Sequence, residues 1–117
     1  MDTNTNKKLH WTLKNSTRKN EKYMIVSSKF LNKKYFKGLQ KIHFGAKDFE
    51  DYTTHKDIKR KERYLKRHNA IKLKDGTKAV DNILSPAWLS RWILWNKPTI
   101  QQSLKDIEKR FGIRIIL

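Results

Sequence analysis

The chain has 117 residues and a formal net charge of +17 at pH 7, a charge that favours an anionic partner such as nucleic acid, anionic lipid or an acidic protein. Its length fits one domain with a small core, and the absence of cysteine excludes disulfides. No apolar run approaches the roughly 20 residues that cross a bilayer, and the first residues lack the apolar segment of a secretory signal, so we expect no membrane span and no signal-directed export.

Residues 1–21 consist mainly of Asn, Thr, Lys and Ser, with isolated apolar residues at Leu9, Trp11 and Leu13. Such a composition is too polar to bury itself. It predicts a basic arm over 1–21, flexible or ordered by a partner, followed by a single small domain over 22–117. Because Leu9, Trp11 and Leu13 alternate along the chain, a short edge strand is the competing interpretation.

Residues 23–30 and 35–44 are rich in β-branched and aromatic side chains, which is typical of strands. Asn32 and Lys33 are candidate turn residues between them, and Gly38 marks either a bulge or a second turn. We therefore predict an antiparallel ribbon of two to three strands. An isolated hairpin is marginal in water, so this ribbon must pack on helices.

Residues 56–67, KDIKRKERYLKR, predict a helix with two faces of opposite character, which Thr54, His55 or Asp57 can cap at its start. At helical spacing, six cations fall within about 120° of one another. They are Lys56, Lys59, Arg60, Arg63, Lys66 and Arg67. Ile58, Tyr64, Leu65 and His68 gather opposite, and we expect this stripe to hold the helix on the body of the protein.

The cationic face of this helix has two interpretations. A charged helix face is usually only a solvated face, but six cations in an already basic chain favour binding of nucleic acid or another acidic partner. Contacts of this kind with phosphates position a protein without reading bases, so we predict no sequence specificity. The acidic residues Asp48, Glu50 and Asp51 precede the helix and are placed to neutralise part of it.

Three further elements follow the basic helix. Asp75 and Gly76 predict a turn within a loop or small hairpin over 72–78. Ser85 and Pro86 predict the start of a helix that ends before Pro98, and Thr99 predicts the start of another that stops at Gly112. The terminal residues IRIIL predict either an added strand or insertion into a partner.

The first of these helices carries Trp88, Trp92 and Trp95. Aromatic rings interleaved with Arg91 and Lys97 can hold unstacked bases. A small domain with little apolar mass also needs such rings for stability, so we favour a core or protein-interface role for the three tryptophans. We expect Arg91 to stack on one of the rings or to bond an acidic partner.

The sequence offers no convincing metal or catalytic site. His10, His43, His55 and His68 have no zinc-finger spacing and no cysteine to support them. No phosphate-cradling glycine motif or nucleophile elbow is present, and a metal-dependent nuclease site built from Asp48, Glu50, Asp51 and His55 is the weakest alternative. We predict a protein that is not an enzyme and that needs no metal or cofactor.

The strings HFGAK, DYTTHKD, ERYLKRH and SRWILWNKPT resemble an uncharacterised family of short basic proteins, a domain of unknown function, from nucleocytoplasmic large DNA viruses. The resemblance covers about residues 22–111. The chain departs from the family pattern in two places. Its connecting segment, KLKDGTKAVDNILSPA, lacks an Asn-Trp-Asn-rich loop, and its IRIIL tail is extra. Because the family is of unknown function, no residue role is carried over.

What the resemblance implies is a viral setting. We expect a non-enzymatic structural protein of the virion, a minor capsid or core-associated protein that binds other virion or capsid proteins and acidic partners. The alternative is a nucleic-acid-binding protein that compacts or handles viral DNA or RNA without sequence specificity. The expected locations are the virion and, during assembly, the host cytoplasm or nucleus. The expected fold is α+β, the short ribbon being packed by two to three helices.

Overall fold

The computed structural model describes residues 10–28 and 40–117, and in these residues a four-stranded sheet is packed by helices on one face. The sheet order is β3-β2-β1-β4. Both β1–β2 and β2–β3 are antiparallel, whereas β4 runs parallel to β1, so the sheet is mixed. The strands are β1 (Trp11–Asn15), β2 (Glu21–Ser27), β3 (Lys41–Ala46) and β4 (Ile115–Ile116).

Capping residues mark where the helices begin and end. The helices are α1 (Tyr52–His55), α2 (Ile58–Asn69), α3 (Pro86–Leu89), which continues as a π-helical turn over Ser90–Leu94, and α4 (Ile100–Phe111), with a 3-10 turn over Ala79–Asp81. Asp57, Ser85 and Thr99 cap α2, α3 and α4 through their side chains. Gly112 ends α4 in the left-handed conformation, as its position predicts.

The predicted α+β class is confirmed, with four strands in the described residues instead of two or three. The IRIIL tail adds a strand, since Ile115 pairs with Trp11 and is buried. A small hairpin forms over 72–78, where the Leu73 N–H donates to the Thr77 carbonyl at 2.8 Å. The predicted turn at Asn32 and Lys33, and Gly38, lie outside the described residues.

The boundary predicted between an arm over 1–21 and a domain over 22–117 does not match the described part of that segment. Trp11–Asn15 is an interior strand of the sheet, paired with β2 on one side and β4 on the other. Trp11 is 2% exposed and Leu13 is buried with it. The alternation of apolar residues therefore indicates the structure of this segment better than its polar composition does. Residues 1–9 lie outside the described residues.

One hydrophobic cluster joins the inner face of the sheet to the helices. Trp11, Leu13, Ile25, Phe44 and Ile115 come from the sheet, and Trp88, Leu89, Ile93, Leu94, Leu104 and Ile107 come from the helices. Tyr23 and Ile42 pack against its edge. Among the described helices, none is long and apolar enough to cross a membrane.

Gly45, near the end of β3, occupies a position that suits only glycine. Its φ is +83°, in the region that side chains rarely adopt. A Cβ there would also lie 2.9 Å from Leu94 Cδ1 of the π turn. The absent side chain lets the sheet edge and the π turn approach each other, and the two elements meet at the floor of a surface cleft.

Candidate functional site

A cleft of about 480 Å³ opens between α2, the end of β3 with the loop after it, and the π turn. It combines positive charge with aromatic rings. Its lining consists of Lys22, Arg60, Arg63 and Arg67, the acids Glu50 and Asp51, the rings of Phe49, Tyr64, His68 and Trp95, and Gly45, Ala46, Ser90 and Leu94. Three of the six cations that the helix pattern singled out therefore share one cavity.

The structure places five of the six predicted cations on α2. Lys59, Arg63, Lys66 and Arg67 are exposed, and Arg60 is half-buried. Lys56 is the exception, because it adopts the left-handed conformation that ends α1, and its Nζ donates to the Thr53 carbonyl at 3.0 Å. The prediction that Lys56 shares the helical face is therefore wrong. Asp51 and Asp57 each start a helix, so the chain must turn between them.

The acidic residues before α2 neutralise only part of this charge. Arg60 Nη1 lies 3.2 Å from Glu50 Oε1, an exposed ion pair that contributes little to stability. Lys22 Nζ lies 2.7 Å from the nearly buried Asp51 carboxylate. Within residues 10–28 and 40–117, no carboxylate forms an ion pair with the other four predicted cations on α2, Lys59, Arg63, Lys66 and Arg67. These four remain available to an anion.

A column of stacked rings anchors α2 to the body of the protein. Tyr64 lies between two rings, with its centroid 4.0 Å from that of Trp95 and 3.9 Å from that of His68. His55 also contacts Trp95, with the ring centroids 5.2 Å apart and the planes tilted. Tyr64 is 7% exposed, so burial raises the pKa of its hydroxyl strongly. The column holds the backbone of α2 in place while its cations project outward.

Tyr64 of the predicted apolar stripe of α2 is buried, as expected, but Ile58 at the edge of that stripe is not. Ile58 is 60% exposed and does not contact the core, whereas Lys61 faces inward. Lys61 Nζ donates to the Asn96 carbonyl at 2.6 Å and lies 4.9 Å from the centre of the Tyr52 ring. Burial, together with nearby Arg91 and Lys97, lowers the pKa of Lys61. The inward face is thus aromatic and polar, centred on Tyr64.

The charge of the cleft comes from arginine and lysine. Burial, assisted by the neighbouring Arg67, lowers the pKa of His68 below its ordinary value, so this ring is mainly neutral at pH 7. Its role in the cleft is that of a flat wall stacked on Tyr64. Positive charge at the rim therefore does not depend on histidine protonation near neutral pH.

The three tryptophans have separate environments. Trp88 is 1% exposed and meets Phe111 edge-on, so it belongs to the core. Trp92 packs at the core edge, with the Arg91 guanidinium 4.1 Å from its ring centre, which is the stacking expected of that arginine. Trp95 joins the column beside Tyr64. Only Trp95 of the three lines the cleft.

Among the described residues, no group of three or more His, Cys, Asp or Glu side chains is close enough to hold a metal ion. His55 belongs to the ring column, and His43 Nδ1 lies 2.7 Å from Ser16 Oγ. The Asp51 carboxylate, a member of the weakest nuclease alternative, accepts from Thr53 and faces Lys22. These groups act as caps and as parts of the packing.

The sequence does not single out Phe49, Gly45 or Lys22 as residues of the site. Phe49 is 72% exposed at the cleft lining, although a phenyl ring in a small domain is expected inside. Gly45 and Lys22 also line the cavity. The positive φ of Gly45 has no signature in the chain, and Lys22 reaches the site only because β2 pairs with β3.

Fold and cleft together define a small α+β protein with a cationic, aromatic-lined surface cavity. Residues 11–68 match the model of a family described as a family of unknown function, DUF5754. The match contains β1 to β3, α1 and nearly all of α2, and it agrees with the predicted resemblance to an uncharacterised family. The match starts earlier than the predicted span, which began at about residue 22, and leaves out the string SRWILWNKPT at 90–99. No curated protein and no solved structure matches the chain significantly.

Proposed function

We propose that this protein is a non-enzymatic nucleic-acid-binding protein that holds the phosphate backbone on the exposed cations of α2. One observation carries the proposal. Lys59, Arg63, Lys66 and Arg67 project from a helix whose opposite side is fixed by stacked rings, and no described carboxylate forms an ion pair with them. The excess of cations on this face, in an already basic chain, favours binding over a merely solvated face. Glu62 stands four residues before Lys66 but forms no ion pair with it.

The chemistry of these side chains favours backbone contacts. Lysine and arginine bind phosphate oxygens by charge-assisted hydrogen bonds, which carry no sequence information. Arg60 is held by Glu50, and the described face of α2 has no Asn or Gln directed outward except Asn69 at its end. Binding without sequence preference follows from this composition.

The resemblance to large DNA virus proteins supplies the proposed setting. In that setting the partner is viral DNA or RNA, met in the virion or, during assembly, in the host cytoplasm or nucleus. The net charge of +17 suits a partner that is packaged at high density.

A structural role in the virion, as a minor capsid or core-associated protein, is our second proposal. Trp88 and Ile115 are buried within the chain, so they are not free to dock on a neighbour. The observation that favours a protein contact lies elsewhere. Ile71, Leu73 and Ile83 are all more than 40% exposed along one stretch after α2. Exposed aliphatic residues of this kind are suited to contacts with other virion or capsid proteins.

The salt dependence of binding tests the first proposal. We expect the purified protein to bind random-sequence duplex DNA with a Kd of roughly 1–100 μM near physiological salt, with a log–log slope of about −3 to −4 if four phosphates are contacted. Fluorescence anisotropy across a salt series measures both quantities. A Kd weaker than about 1 mM even at low salt would exclude nucleic acid as the partner.

Polyglutamate of similar charge is the matched control for that titration. It offers carboxylates at flexible spacing and lacks the fixed phosphate array. We expect it to bind more weakly than DNA. Equal or tighter binding of polyglutamate would favour an acidic protein partner and the structural role in the virion.

A further inference from the structure

We propose that the cleft beside α2 receives an unstacked base of single-stranded nucleic acid, with Phe49 as the stacking platform and Arg63 and Arg67 on the adjoining phosphates. This inference rests on the proposed function and names the form of nucleic acid that the same surface prefers.

The exposure of Phe49 is the first observation. Six large apolar residues of the described chain are well exposed, and Phe49 is the most exposed of them and the only aromatic one. It lies in the loop between β3 and α1, where its N–H donates to the Ala46 carbonyl at 3.4 Å. A single exposed apolar residue has no meaning by itself. This one borders a cavity whose lining also holds four cations and three further rings.

The composition of the cavity is the second observation. His68 and Trp95 present further aromatic surface, with Tyr64 buried between them, and Arg63 and Arg67 also line the cavity. Aromatic faces next to a positively charged track are the arrangement by which proteins hold single strands, because every base has a face that can stack. The two carboxylates of the cleft are each matched by a cation, Glu50 by Arg60 and Asp51 by Lys22.

The size of the cavity separates single strands from duplexes. A volume of about 480 Å³ lies in the range of small-molecule sites and accommodates one nucleobase with its sugar. A duplex is too wide to enter and presents its bases paired and stacked. A base in a duplex reaches such a site only after being flipped out, which costs energy that a single strand does not spend.

The test compares one sequence of about 20 nucleotides as a single strand and as a duplex, at the same salt, by fluorescence anisotropy. We expect the native protein to bind the single strand more tightly. Phe49→Ala should weaken single-strand binding on the order of 10-fold and duplex binding less than about 2-fold. Phe49→Trp should retain the affinity and add a fluorescence signal that the bound bases quench.

The matched control is Ile58→Ala, since Ile58 is also well exposed but lies outside the cleft lining. It should leave both affinities unchanged, and thermal unfolding should show that all variants fold. If Phe49→Ala weakens both forms equally or neither, base binding in the cleft is contradicted while the proposed function stands. If the native protein binds neither form, the proposed function fails as well.

Discussion

Replacing Arg63 and Arg67 together by glutamate is expected to weaken nucleic-acid binding by at least about 100-fold at moderate salt. Each arginine supplies a charge-assisted hydrogen bond worth about 1.5–3 kcal/mol, and the introduced carboxylates repel phosphate as well. The log–log salt slope should also become shallower by about two units, because two phosphate contacts are lost. Both side chains are exposed, so the fold should remain. Anisotropy over a salt series measures both effects.

The control for this double variant carries the same change of net charge on another surface. Lys72 and Lys74 are exposed on the small hairpin, so Lys72→Glu with Lys74→Glu alters the overall charge by an equal amount. We expect this control to lose less than about 5-fold in affinity, because Lys72 and Lys74 lie outside α2 and outside the lining of the cleft. An equal loss in both double variants would show that total charge decides binding and that the face of α2 does not.

Tyr64→Ala is expected to destabilise the protein by about 3–5 kcal/mol, the usual cost of truncating a buried aromatic residue. Tyr64 is enclosed by Trp95 and His68, and its removal leaves a gap at the centre of the ring column. Such a loss is a large share of the stability of a small domain. Denaturant unfolding should show a lower midpoint, and α2 should lose protection from hydrogen exchange first.

Two variants on the same helix make this test specific. Tyr64→Phe keeps the stacked ring and should remain close to the native stability. Ile58→Ala truncates an aliphatic side chain that is 60% exposed. This change should alter the free energy of unfolding by less than about 0.5 kcal/mol. If Ile58→Ala proved as damaging as Tyr64→Ala, Ile58 would belong to the inward face of α2 and its observed exposure would be contradicted.

The elements that could be predicted from the sequence are those with local chemical signals. Ser85 and Pro86 start α3, Thr99 starts α4 and Gly112 ends it, because capping depends on residues within one turn. The α+β class followed from two kinds of periodicity in separate parts of the chain. Strand β1 was predicted only as a competitor, since its pairing with β2 and β4 joins segments distant in sequence.

The predictions that were wrong concern positions where tertiary contacts decide between local alternatives. Ile58 lies at the edge of the apolar stripe on a helical wheel and is exposed, while Lys61, which lies within the stripe, has a carbonyl to bond and a ring to cover. Lys56 was assigned to one long helix, while a capping box at Asp51 creates a separate turn before α2. Both outcomes depend on neighbours that periodicity does not contain.

The candidate site, like the fold, could be predicted from the sequence only in part. The cations of α2 could be named from the sequence because helical spacing alone places them on one side. The cleft could not, since its opposite wall comes from β3 and the π turn, and Trp95 meets Tyr64 only in the folded chain. Phe49 belongs to no periodic pattern, and its exposure becomes meaningful only beside that cavity.

Backbone amide chemical shifts of isotope-labelled protein, titrated with an oligothymidine of about eight nucleotides, test the proposed surface most directly. We predict that the chemical-shift changes cluster on the loop around Phe49 and on α2 at Lys59, Arg63 and Arg67, with little change in the hairpin over 72–78. Shifts concentrated on that hairpin or on α4, with α2 unchanged at saturation, would contradict it.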